Sequence, residues 1–314
     1  MKTTRSLSFD DVLLRPRKTP VRSRDDVDLG TAFTRHLRLD IPLVSANMSS
    51  VTEVAMANAM AECGGLGVLH RFCSESDQRE MAKAIVPPIA VALSLKQSWD
   101  VLGIDGVRVA VLDVAHAHSD EVIQAIKDWE RRDGIDLMVG NIATAEAARD
   151  LCEAGADGLK VGIGPSPVCR TRDVAGAGVG QLTAVAEVAH VAQEYGVPVC
   201  ADGGLATSGD IVKALAAGAS TVMSGSLFVG CDESPARQVK CDDGVVRKEY
   251  FGSASGRQKE GNDYIEGSLK LVEKTGPIRD VVKRLCDGIR SGVSYGGGRT
   301  ISQMQANAHF EVIH

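Results

Sequence analysis

The chain has 314 residues, 44% of them hydrophobic and 24% charged, enough for one large α/β barrel or two smaller domains of ordinary soluble composition. A net charge of −6 with no basic run argues against a nucleic-acid partner, while leaving room for a local phosphate pocket. No run approaches the roughly 18 consecutive apolar residues of a membrane span, and the polar first residues lack a signal-peptide core, so the expectation is a cytoplasmic protein that engages neither membrane nor nucleic acid.

Residues 1–41 precede the main pattern. Eight short apolar runs then end in glycine or a polar residue: 42–47, 66–70, 90–94, 107–115, 137–141, 158–162, 198–202 and 221–225. Between them, apolar residues at three- and four-residue spacing predict helices over 52–62, 120–131, 145–153, 182–194 and 209–217. Ser119, Thr144, Thr207 and Ser208 stand where N-caps belong, and Gly155, Gly196 and Gly218 where helices close. Eight buried-type strands alternating with helices predict a closed parallel (β/α)8 TIM barrel, one catalytic domain over 1–314 with no inserted regulatory domain. An open doubly wound sheet is the alternative. Such a sheet usually carries its glycine-rich turn after the first strand, whereas here the glycine-rich turns follow strands six, seven and eight.

Residues 231–276 break the alternation. They are polar, glycine-rich and charged, with a β-prone stretch at 245–250, and read as an active-site flap. An amphipathic helix over about 278–289 follows, then the glycine-rich tail Ser291–Arg299 and an extended C-terminus.

The chemistry concentrates at strand ends. The run Lys160–Arg172 (KVGIGPSPVCRTR) puts Cys169 in a glycine-rich loop after strand six. The other seven cysteines (63, 73, 152, 200, 231, 241 and 286) form no C-x-x-C pair, and most sit in apolar patterns, as buried small hydrophobes do. A cysteine beside a phosphate cradle suggests covalent chemistry on a phosphorylated substrate. Asp202, followed by Gly203 and Gly204, can take both hydroxyls of a ribose, or simply cap the next turn. Gly225 and Ser226 offer N–H groups and a hydroxyl to a phosphate. Together they outline a nucleoside monophosphate lying across strands seven and eight. Asn47, Asp113 and Asn141 end other strands at the same mouth. His116 and His118 form an H-x-H pair but lack a third metal ligand at recognisable spacing.

These motifs resemble the IMP dehydrogenase/GMP reductase superfamily from end to end. The resemblance is carried by Ser8–Leu14, Val44–Met48, His70–Phe72, Asp113–Ser119, Gly140–Asn141, Lys160–Arg172, Ala201–Gly204, Gly225–Phe228 with Glu233–Pro235, and Lys248–Ser253. It implies a (β/α)8 barrel in which Cys169 attacks C2 of a purine nucleotide, with Thr171 as its loop partner. It further implies substrate contacts from Met48, Asp202, Gly203, Gly204, Gly225, Ser226, Tyr250, Gly252, Ser253 and Ala254. Asp113, Asn141 and Gly162 would face the nicotinamide cofactor. Carbonyls of Gly164, Ser166 and Cys169 would hold a K⁺ ion, and the assembly would be a homotetramer completed in part by the 291–299 tail.

Within that resemblance, the reductase branch is favoured. About 19 residues separate His70 from Ala90, where dehydrogenases usually insert a regulatory pair of modules. The segment 253–265 has no Arg-Tyr dipeptide of the kind that activates water in the dehydrogenases. Glu266 matches the glutamate that reductases pair with the loop threonine, and Phe310–Ile313 resembles a reductase ending. Ser8–Leu14 and the run 174–179 look more like the dehydrogenase branch, and Pro167 and Arg170 depart from both. The expectation is therefore a GMP reductase that uses NADPH to convert GMP to IMP and ammonia. The alternatives are an IMP dehydrogenase without the regulatory modules and a non-catalytic nucleotide-binding barrel.

Overall fold

In a computed structural model that describes residues 3–129, 134–166, 168, 171–252 and 268–313, each of the eight apolar runs forms a strand. These are β1 (Leu43–Ser45), β2 (Leu66–Leu69), β3 (Ile89–Leu93), β4 (Val107–Asp113), β5 (Asp136–Ile142), β6 (Gly158–Val161), β7 (Val199–Asp202) and β8 (Thr221–Ser224). All neighbours are parallel, and β8 pairs back to β1, so the sheet closes into a barrel. Closure settles the fold as the TIM barrel and excludes the open sheet. The strands are apolar throughout because both of their faces are covered. Val44, Val68, Ala90, Val109, Met138, Cys200 and Met223 belong to the cluster that fills the interior. Phe33 and Leu39, on the hairpin that pairs Thr31–Ala32 with Arg38–Leu39, join that cluster and plug the lower mouth.

The helices α1 (Val54–Glu62), α2 (Glu75–Lys83), α3 (Asp120–Lys127), α4 (Ala145–Ala154), α5 (Thr171–Ala175), α6 (Gln181–Glu194) and α7 (Ser208–Ala216) lie in the strand-to-strand connections. Ser119, Thr144 and Thr207 cap α3, α4 and α7 by accepting from Val122 N, Ala147 N and Asp210 N. Ser208 is the first residue of α7 rather than its cap. Helix α2 was not legible in the sequence, since only Gln78 and Ala82 of its nine residues are buried and its apolar stripe is thin.

The terminal region differs from expectation. Helix α8 runs over Ile278–Tyr295, six residues past the sequence-based end. A Cβ on Gly288 would lie 2.3 Å from Ser208 Oγ, and one on Gly292 2.3 Å from Val212 Cγ2, so these glycines let α8 press onto α7. The gain from that packing outweighs their low helix propensity. The tail is not extended throughout, because α9 spans Ile301–Asn307, capped by Thr300. Only Phe310–Val312 is a strand, and it pairs antiparallel with Val12–Leu14. Residues 231–276 include a three-stranded antiparallel sheet of β9 (Gln238–Lys240), β10 (Val246–Phe251) and β11 (Leu269–Glu273).

Candidate active site

A cavity of about 430 Å³ opens at the C-terminal ends of the barrel strands. This is the face on which TIM barrels carry their chemistry. Every expected site residue that lies among the described residues lines it: Met48, Asp113, Asn141, Gly162, Gly164, Ser166, Thr171, Asp202, Gly203, Gly204, Gly225, Ser226, Tyr250 and Gly252. Cys169, Glu266, Ser253 and Ala254, together with Pro167 and Arg170, lie outside the described residues.

The floor of the cavity is an ionic network centred on Lys160, a residue to which the sequence reading gave no role. Lys160 comes from β6, in register with the interior residue Cys200 of β7, and its side chain is only 2% exposed. Its Nζ donates to Asp113 Oδ1 at 3.1 Å, to Asp202 Oδ2 at 2.8 Å and, by a short bond, to Asn141 Oδ1. Asn141 Nδ2 in turn donates to Asp202 Oδ2 at 3.0 Å and to the Gly162 carbonyl at 2.7 Å. Arg71, at the end of β2, places Nε 3.5 Å from Asp113 Oδ2 and its guanidinium over the Phe72 ring. Space for the lysine comes from Gly140, its register partner on β5, where a Cβ would sit 2.5 Å from Lys160 Cβ.

Burial sets the electrostatics of this floor. Desolvation alone would raise the Asp113 carboxyl, but Lys160 and Arg71, with hydrogen bonds from Lys160 and Asn47, hold it below its usual range. Desolvation alone would lower the Lys160 ammonium, yet Asp202 and Asp113 raise it instead. At neutral pH the floor therefore holds an ionised Asp113 against a fixed Lys160 cation. Asp202, at the end of β7, is half turned to the cavity, with 21% of its side chain exposed. It keeps acceptor capacity for a diol.

The opposite end of the cavity suits an anion. Gly203 and Gly204 take left-handed φ values of 84° and 74°, which turn the chain sharply after β7. A Cβ on Gly225 would lie 2.6 Å from the Tyr250 hydroxyl and 2.9 Å from Met48 Sδ, so only glycine fits between them. Ser226 Oγ donates to the Leu205 carbonyl at 3.1 Å, which braces the two turns against each other. The N-terminus of α7 is not the cradle, because Asp210 Oδ2 already accepts from the N–H groups of Ala206 and Thr207.

The thiols of Cys63, Cys73, Cys152, Cys200, Cys231 and Cys286 are all pushed up by burial, with Cys200 reaching about 12. That leaves them protonated and inert, as small hydrophobes. The His116–His118 pair is not a metal centre: His118 Nε2 lies 2.8 Å from Asp150 Oδ2 on α4. Among the described residues, the side chains grouped closely enough for an ion are His36, Asp136 and Asp157, at the opposite mouth of the barrel. There His36 and Thr34 already engage Asp136, each at 2.6 Å. Of the described residues, no helix is long and apolar enough to cross a membrane.

The sequence and the fold have known counterparts. A GMP reductase from Leishmania donovani is 32% identical, with 97% of this chain and 94% of that protein covered. An inosine-5′-monophosphate dehydrogenase from Cryptosporidium parvum is 35% identical, with 96% and 90% covered. A solved structure of a GMP reductase variant from Trypanosoma brucei, in complex with guanosine 5′-monophosphate, superposes with a TM-score of 0.94 at 30% identity, covering 99% of this chain and 96% of that one. The profile of the IMP dehydrogenase / GMP reductase domain matches residues 6–314. The chain thus belongs to the IMP dehydrogenase/GMP reductase family of oxidoreductases.

Proposed function

We propose that the chain is a GMP reductase, catalysing GMP + NADPH + H⁺ → IMP + NH₃ + NADP⁺. The observation that carries this reading is the segment after β10. Between Gly252 and Glu266 it lacks the Arg-Tyr dipeptide by which dehydrogenases activate water, and Glu266 matches the reductase glutamate. Chain length does not discriminate. The Leishmania donovani reductase aligns over 460 positions and an inosine-5′-monophosphate dehydrogenase from Nitrosopumilus maritimus over 458, against 314 residues here.

In this reading the Cys169 thiolate adds to C2 of the guanine. The 2-amino group then leaves as ammonia, not as an amide ion, so it needs a proton, which Glu266 and Thr171 relay. Backbone N–H groups near Gly252–Ala254 stabilise the charge that the purine ring takes on. Asp202 accepts from the ribose diol, while Gly204, Gly225, Ser226 and Tyr250 receive the phosphate. The residues on the cofactor side suit a nicotinamide ribose, since Asp113 stays ionised and Asn141 is held rigidly at the cavity wall. NADPH, when bound there, would supply the hydride to C2, and the Cys169–C2 bond would then break, returning the thiolate and releasing IMP. A K⁺ ion on the carbonyls of Gly164, Ser166 and Cys169, and a homotetrameric assembly, belong to the same reading.

The test is absorbance at the reduced-nicotinamide band with GMP and NADPH, and separately with IMP, NAD and K⁺. Loss of absorbance in the first supports the reductase. A rise in the second instead makes the protein an IMP dehydrogenase, the reading favoured by the 35% identity to the Cryptosporidium parvum enzyme. Cys169→Ala is expected to abolish turnover, with residual activity below about one part in a thousand. Glu266→Gln is expected to keep GMP binding and cripple ammonia release.

A further inference from the structure

A second buried lysine stands outside this chemistry. Lys248 on β10 is 1% exposed, and the oxygens its Nζ hydrogen-bonds to are all neutral. It donates to the Ser234 carbonyl at 2.9 Å, to Ser234 Oγ at 3.1 Å, to the Asp232 carbonyl at 3.4 Å and, by a short bond, to the Cys231 carbonyl. Those oxygens belong to the chain that leaves the anion end of the cavity. Phe228 N and Val229 N donate to the Gly225 carbonyl at 3.1 and 2.8 Å, and Cys231 N donates to the Phe228 carbonyl at 3.0 Å. The ammonium therefore ties β10 to the continuation of the Gly225–Ser226 turn. Two residues along, on the same face of the strand, stands Tyr250, 3% exposed, with its hydroxyl packed on Gly225.

We propose that Lys248 is a positioning residue for the phosphate end of the site: it holds the Tyr250 hydroxyl against the Gly225–Ser226 turn, and so sets selectivity for a nucleoside 5′-monophosphate over the bare nucleoside. This rests on the nucleotide reading above. The lysine touches no substrate. Its three carbonyl partners and one hydroxyl fix the spacing between strand and turn, because a single ammonium reaches all four only at one separation.

Calorimetric titration of the full chain with GMP and with guanosine tests this. The wild type is expected to bind GMP far more tightly than guanosine. Lys248→Met is expected to weaken GMP about 10- to 100-fold, the scale of a lost charge-assisted hydrogen bond, and to leave guanosine within about twofold. Tyr250→Phe is expected to do the same, and the double variant to be no worse than the poorer single one, since both act through one contact. Unchanged GMP affinity in Lys248→Met, an equal loss for guanosine, or losses that multiply in the double variant would overturn the proposal. If Lys248→Met does not fold, Ser234→Ala removes one partner of the ammonium and is expected to shift the GMP-to-guanosine ratio about two- to fivefold; an unshifted ratio overturns the proposal equally. A wild type that binds GMP and guanosine alike would instead sink the nucleotide reading itself, a separately visible result.

Discussion

The barrel floor and the sheet beside it each bury one lysine, and they stabilise it in opposite ways. Lys160 meets two carboxylates and an amide, and its proton is held more tightly than in water. Lys248 meets only carbonyls and a hydroxyl, and burial, reinforced by Lys274, pulls its ammonium below the ordinary value despite nearby Asp232 and Glu233. Neutral dipoles fix a geometry without fully offsetting the loss of water, whereas opposite charges do both. The floor is thus built for constant charge, and the sheet root for constant spacing.

The sharpest way to break this contrast is Lys160→Met. It strands Asp113 and Asp202 in a buried cavity, and a loss of about 3–5 kcal/mol is expected in urea unfolding. Adding Asp113→Asn to that variant should recover part of the loss, because one stranded charge is gone. Two changes of about 1–3 kcal/mol come next. Gly140→Ala drives a methyl group into Lys160 and should destabilise the floor by overpacking. Lys248→Met leaves carbonyls unpaired but no bare charge, so it should cost less than Lys160→Met. Equal losses at the two lysines would remove the distinction.

The smallest effects are in pH. The Asp113 carboxyl is held below its ordinary value, so its contribution to stability is complete above about pH 4 and disappears as pH falls through its lower folded value. The gap in urea midpoint between wild type and Asp113→Asn should therefore narrow only in strong acid. Lys248 has the same sign in a different window, at the alkaline end of the scale. Its folded value is depressed, so between that value and about 10.5 the unfolded chain binds more protons and stability rises with pH. The advantage of wild type over Lys248→Met should grow on alkaline titration, and a shrinking advantage would contradict the carbonyl-nest account.

Most of the barrel was legible because it is periodic. Each strand is a short apolar run, and α3, α4 and α7 begin at a capping side chain, so all eight strands fell where the pattern put them. The wall of the site was legible too, since glycine and polar residues at strand ends face one mouth. What stayed hidden has a common cause. Lys160 finds Asp113 and Asp202 across 47 and 42 residues of sequence, and no local spacing encodes a contact made by barrel closure. A lysine inside an apolar strand, with a glycine in the strand before it, was the available sign. Strands β9 and β11 are short and largely exposed, and α9 is a seven-residue helix behind a glycine run. Their positions come from tertiary partners rather than from local preference.

The two outermost strands carry a mechanical consequence. Val12 pairs with Val312 and Leu14 with Phe310, so the chain enters and leaves this ladder at the same end. A force pulling the two ends apart would load the cross-strand hydrogen bonds one after another rather than together, and the ladder would unzip instead of shearing. The first rupture under tension is expected here, at low force, with the closed barrel still intact behind it.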